Sequence, residues 1–219
     1  MKIVSVTPVV VGARMRNWVF VKVVTDEGIV GWGEGTLEWR TRSVVGAIQD
    51  YEPLLVGENP FRIEHLWQSM HRHQFWKGGI VSMTALSAID QALHDVKAQA
   101  LGVPLYELLG GRVRDRLRVY DHLGGGDPDA VYGALSPERF ADAARRSVEE
   151  GYTAVKILAA PVTAALPDSG ALRAAEGVMA AVREAVGDDV EIMVDLHGRT
   201  SPAAAVAFGR VLAPYRPWF

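Results

Sequence analysis

The stretch "VEIMVDLHGRT", residues 190–200, runs from an apolar strand pattern straight into a polar loop. Asp195, His197 and Arg199 fall on every second position across that junction. Side chains alternate along a strand, so Val194 and Leu196 take one face while Met193, Asp195 and His197 take the other. Strands of parallel sheets are apolar on both faces because both are covered. In a parallel barrel the first set packs on helices. The second points inward, toward the C-terminal mouth where barrel active sites lie.

Working outward from this strand, the second half of the chain repeats one rhythm. "LRVYDHL", residues 117–123, is predicted as a short strand leading into a glycine-rich loop, Gly124 to Gly126. Ser136-Pro137 opens a helix, with serine as the cap and proline at the first helical position. "TAVKIL", residues 153–158, is the next strand, and a helix from about Gly170 to Val186 follows it. After "VEIMVDL", Ser201-Pro202 starts another helix that ends before Pro214, and "PWF" opens a further strand. This β-α-β-α-β-α-β order predicts a parallel sheet with helical crossovers.

The first half reads differently. "MKIVSVTPVVVG" is a strand, since Ser5, Thr7 and Pro8 break any signal-peptide pattern. "NWVFVKVVT" and "IVGWGEG" flank the turn Asp26-Glu27-Gly28 and predict a hairpin. Helices are expected from Thr41, a candidate cap, across Arg62 to His73, and from about Ser82 to Ala100. "LYELLGG" adds a short helical turn closed by Gly110-Gly111. The expected boundary gives residues 1–113 and 114–219 as the two domains.

Bulk properties narrow the function classes. The chain has 219 residues, 49% of them apolar, a net charge of −3 and no cysteine. No basic stripe points to nucleic acid or to a membrane surface, and thiolate metal sites are excluded. No run approaches the roughly 20 apolar residues of a membrane helix. The expectation is a cytoplasmic protein with a small-molecule substrate.

Inside "TAVKIL", Lys156 is a charge in an apolar strand. Left unpaired there it would cost several kcal/mol, and Asp195 on the neighbouring strand is an available partner. An aspartate at a strand end is often only a turn former, and a lone His197 is often a satisfied loop histidine. The spaced Asp-x-His-x-Arg trio points further. A hard cation such as Mg²⁺ takes carboxylate oxygen, and a histidine two residues on can pass a proton. The other histidines carry less. His71 and His73 do not face each other on a helix, His94 has Asp90 four residues before it, and His65 and His122 stand isolated. The Gly124 to Gly126 loop lacks a dinucleotide spacing and at most shapes the mouth.

Taken together, "TDEGIVGWGE", "SAIDQALHDVKAQALGVPLYELLGG", "GYTAVKI", "VDLHGR" and "PYRPWF" resemble the enolase superfamily, in its mandelate racemase group. Among its members they are most similar to acid-sugar dehydratases of the galactonate dehydratase type. The resemblance implies an α+β capping domain followed by a (β/α)₇β TIM-like barrel, of which this chain holds about three βα units. It implies Mg²⁺ held by three carboxylates, proton abstraction beside a substrate carboxylate, and loss of the β-hydroxyl. Asp195 matches the first metal ligand and His197 the leaving-group acid. Lys156 matches the first lysine of a Lys-x-Lys pair whose second lysine, a base in the racemases, is here Leu158. Arg199 lies in the matching loop as a candidate substrate contact. Arg16, Trp18 and Trp76 fall in cap segments that set specificity, between Arg14 and Trp18 and between Phe75 and Gly79. A homo-oligomer is expected for a complete version.

The resemblance also implies carboxylates, a later base and barrel strands beyond "PYRPWF". The expectation is therefore that residues 1–219 alone are not a stable, active monomer, and that they aggregate, associate through an open sheet edge, or keep an ordered cap beside a loosely packed second half. Racemisation or epimerisation of a hydroxy acid, and an inactive fragment, are the alternatives.

Overall fold

The computed structural model describes residues 1–13, 16–123, 136–160 and 165–219. The Gly124–Gly126 loop, and Arg14 of the cap segment, lie outside the described residues. The chain divides into two compact units, Met1–Asp115 and Arg116–Phe219.

In the first unit, β1 (Ile3–Ala13), β2 (Arg16–Thr25) and β3 (Val30–Glu34) form an antiparallel sheet in that order. The predicted hairpin is β2–β3, with Val21 opposite Gly33. Alternation places Val19, Val21 and Val23 on one face, and all three are fully buried. They pack with α1 (Thr41–Leu55), α2 (Ile63–His73) and α3 (Ile80–Leu101) in one core. A one-turn helix, α4 (Leu105–Leu108), follows. Leu86, Ile89, Leu93 and Val96, spaced at the helical period, are buried on α3, and Ala100 at its end is half-buried. Thr41 is not a cap, however. It is the first helical residue, and the capping position is Arg40, which makes no side-chain cap bond.

Two glycines explain how tightly α3 lies on the sheet. A Cβ built on Gly33 would stand 1.9 Å from the Ala88 carbonyl oxygen, and one on Gly31 2.2 Å from that of Ala92. Helix backbone touches strand backbone there. The outer edge of β3 is also covered. Its Glu34 and Trp32 N–H groups donate to Gln91 and Asp95, and its Val30 carbonyl accepts from Gln99. Four helical residues advance about 6 Å and two strand residues about 6.6 Å. Side chains spaced by four on α3 therefore match every second residue of β3.

In the second unit, β4 (Asp121–His122), β5 (Ala154–Ile157) and β6 (Glu191–Val194) form a parallel sheet in that order. Its crossovers include α5 (Pro137–Glu149) and α6 (Ser169–Val186), and α7 (Pro202–Leu212) follows β6. Ser136 and Ser201 cap α5 and α7 as expected, with proline next, while Asp168 caps α6. The predicted strand "LRVYDHL" is regular only at Asp121–His122. Val155, Ile157 and Ile192 pack with Phe140, Val178 and Phe208 on the helical side. Val194 and Leu196 pack against the same core, as the alternation requires.

Past α7, the Trp218 N–H donates to the Ile192 carbonyl and the Val194 N–H to that of Phe219. "PWF" thus lies along β6 without forming a regular strand. Arg183, near the end of α6, ties this region together by donating to the carbonyls of Gly187, Val190, Tyr215 and Arg216. No helix among the described residues is long and apolar enough to cross a membrane.

Candidate functional site

Parallel register aligns His122 with Lys156, and Lys156 with Met193. Asp195 follows Met193 by two, so it continues the same row beyond the end of β6. The face opposite the helices thus carries His122, Lys156 and Asp195 at the C-terminal ends of three adjacent strands. Tyr120 joins them, with Lys156 Nζ 5.4 Å from its ring centre.

Lys156 Nζ stands 3.2 Å from Asp195 Oδ2, as its position in an apolar strand requires. The other oxygen, Oδ1, meets His197 twice. It accepts the His197 backbone N–H at 2.8 Å and lies 2.8 Å from His197 Nδ1. The backbone bond is the turn that an aspartate at a strand end makes with the residue two on, so the bland role of Asp195 is present. The ring and ammonium contacts are additional to it. His197 takes φ 51°, a left-handed conformation in which histidine is among the enriched residue types, and Gly198 follows at φ 61°. This backbone folds the His197 ring back onto the carboxylate.

Asp195 is charged in this setting. Burial alone would raise its pKa. The His197 N–H, the His197 ring and the Lys156 ammonium outweigh that and lower it to about 2. An anionic carboxylate with one lone-pair direction still to give fits a hard cation as a single ligand. Among the described residues no group of three or more His, Asp or Glu is placed to hold a metal ion.

His122 stands isolated in the sequence, yet in the fold it joins this row. The parity test applied to "TAVKIL" and "VEIMVDL" would have found it in "LRVYDHL". There Asp121 turns to the helices and accepts the Ser147 hydroxyl at 2.6 Å, leaving Tyr120 and His122 for the other face. His122 Nε2 is buried and has no hydrogen-bond partner among the described residues. Burial pushes its pKa down, Lys156 and His197 push the same way, and the Asp195 and Asp121 carboxylates push back without reversing the shift. Leu158, where a second lysine would stand, is buried and apolar.

The remaining candidates are placed as follows. The Arg199 N–H closes a turn onto the Leu196 carbonyl. Arg16 and Trp18 lie on β2 in the first unit. There Arg16 pairs with Glu38 at 2.7 Å, and Trp18 meets Phe20 edge to face. Trp76 lies between α2 and α3 and is 89% exposed, beside a still more exposed Phe75. His94 pairs locally with Asp90, as its spacing suggests.

Comparison with known proteins agrees with this architecture. Residues 4–110 match the mandelate racemase / muconate lactonizing enzyme N-terminal domain, and residues 139–219 the enolase C-terminal domain-like family. A D-galactonate dehydratase of Verminephrobacter eiseniae is 42% identical over the whole chain, which covers 54% of that protein. Among solved structures, a candidate dehydratase from Mesorhizobium loti superposes with a TM-score of 0.90 at 36% identity, covering 99% of this chain and 58% of that one. An enolase from Agrobacterium radiobacter, a candidate galactarate dehydratase with bound sodium and L-malate, gives 0.84 at 32%, covering 100% and 54%. The chain spans about half the length of the curated relatives it matches. It belongs to the enolase superfamily, in the mandelate racemase / muconate lactonizing enzyme group. Its first unit is that fold's N-terminal capping domain and its second the start of the barrel.

Proposed function

We propose that the intact protein carrying this chain is an acid-sugar dehydratase acting on a galactonate-like polyhydroxy acid. The observation that carries the reading is the Lys156–Asp195–His197 cluster at the strand ends. Relatives named D-galactonate dehydratase support it, as does the neighbour holding L-malate, itself a hydroxy acid.

In the reaction, a base takes the proton beside the carboxylate, and the C–H electron pair moves into the carboxylate to give an enediolate. As the enediolate collapses, that pair forms the enol double bond while the adjacent C–O bond breaks, and the hydroxyl leaves as water with a proton from His197. The enol tautomerises to a 2-keto-3-deoxy acid. With Nδ1 held by Asp195, the His197 ring has Nε2 to deliver that proton. Lys156, paired with an ionised carboxylate, serves as a fixed cation beside developing negative charge rather than as a base. Asp195 would be one ligand of Mg²⁺, which when bound supplies positive charge to the substrate's carboxylate oxygens as the proton departs. Leu158 has no proton to exchange, which favours dehydration over racemisation at this strand. Arg16, Trp18, Trp76 and Arg199 are proposed substrate contacts. A cytoplasmic location and homo-oligomeric assembly belong to the same reading.

The test is to incubate the intact protein with Mg²⁺ and a panel of hexonic and hexaric acids that includes D-galactonate, and to assay keto-acid formation. One acid should yield a 2-keto-3-deoxy product. Epimerisation without water loss, or no product from any acid, would contradict the proposal.

A further inference from the structure

One polar group in the row has no role in the chemistry above. His122 stands at the end of β4, in register with Lys156, and its Nε2 is buried without a partner among the described residues. A shielded ring nitrogen left unpaired is costly, and such groups in native structures call for an explanation. Among the described residues no hydrogen bond to Nε2 requires an imidazole there. An apolar side chain of similar volume would fill the same space without leaving a polar atom unpaired.

Resting on the dehydratase reading, we infer that His122 is a substrate-positioning residue whose Nε2 pairs with a hydroxyl of the bound sugar acid. The ligand chemistry follows from the neighbours. A hydroxyl both donates and accepts, so it suits either tautomer of the ring. A carboxylate suits only the protonated nitrogen, and an ammonium would face Lys156 across the register. Burial disfavours a positive ring, and the Lys156 and His197 side chains add to it, while the Asp195 and Asp121 carboxylates act the other way and do not reverse it. A neutral ring beside Lys156 and His197 adds a polar contact without adding charge. For its shielded Nε2 to meet that hydroxyl, the ring turns about its side-chain bonds.

The experiment combines removal of the side chain with removal of the hydroxyl. In the intact Mg²⁺-loaded protein, His122→Leu should raise KM for D-galactonate roughly two- to tenfold, the range of one net hydrogen bond. Inhibition constants are then measured for the mono-deoxy acids of D-galactonate. For one of them the variant and the parent should bind equally, because the partner hydroxyl is already gone. A structural role would weaken every acid by the same factor. The denaturant midpoint of residues 1–219 should be unchanged or higher in the Leu variant. If the parent turns over D-galactonate and His122→Leu leaves KM unchanged, or loses the same factor against every deoxy acid, the inference fails and the dehydratase reading stands. If the parent neither binds nor dehydrates D-galactonate, the dehydratase reading falls for this acid and the inference falls with it.

Discussion

Replacing Asp195 by asparagine should weaken the second unit at neutral pH and leave it unaffected in strong acid. In the folded chain the carboxyl titrates at about 2, against an ordinary 3.8. A folded-state pKa below the unfolded one contributes stability that is complete above about pH 4 and is lost as pH falls toward 2. A shift of nearly two units corresponds to about 2 kcal/mol. Close to a third of the side chain is exposed, so solvent screening reduces this to about 1–2 kcal/mol. Asparagine keeps an oxygen for the His197 N–H but turns a neutral group to Lys156, and the charge-assisted bonds are lost. The assay is hydrogen exchange of the β5 and β6 amides in both proteins from pH 6 to pH 2. The gap between them should be about 1–2 kcal/mol at pH 6 and close as Asp195 protonates. Every other carboxylate titrates in both proteins and cancels. A gap that is absent at pH 6, or that stays constant down to pH 2, would refute the reasoning.

Gly33→Ala should destabilise the first unit by roughly 3 kcal/mol in urea, since its Cβ meets helix backbone that cannot move aside. Gly46→Ala, inside α1 with open space around it, should instead gain about 0.5–1 kcal/mol in the same measurement. Arg183→Met should cost roughly 2–3 kcal/mol in the second unit by releasing its backbone carbonyl contacts, and Arg183→Lys should restore only part. Trp76→Ala should leave the unfolding midpoint within about 0.5 kcal/mol, because the ring is almost fully exposed, while raising KM for the acid substrate of the intact protein.

What the sequence made legible is what simple periodicity encodes. The βα rhythm, the Ser-Pro helix starts and the Val19-Val21-Val23 alternation follow from local rules. The Lys156–Asp195 pair follows from them too, since a charge inside an apolar strand must find an opposite charge nearby. The features that escaped depend on distance between elements. Thr41 has the right residue type for a cap, but the chain enters α1 one residue earlier, through Arg40. The ladder from Gln91, Asp95 and Gln99 to β3 looks like an ordinary solvated helix face until the strand edge lies beside it. Arg183 resembles any basic residue near a helix end, and its carbonyl partners are fixed only when the chain returns at Tyr215 and Arg216. His122 was legible in part, because strand parity assigns its face while only the register beside Lys156 gives it neighbours.

In the proposed reaction His197 delivers the leaving-group proton from its seat on Asp195, and His197→Asn takes that proton away. Asparagine tolerates the left-handed backbone at this position, so the loop keeps its shape, while an amide cannot supply the proton. The measurement follows the intact variant in D₂O with Mg²⁺ and its acid substrate, recording both keto-acid formation and deuterium entry beside the carboxylate. Dehydration should fall by at least about a hundredfold while deuterium still exchanges into the substrate. Dehydration at the parent rate would contradict this role of His197.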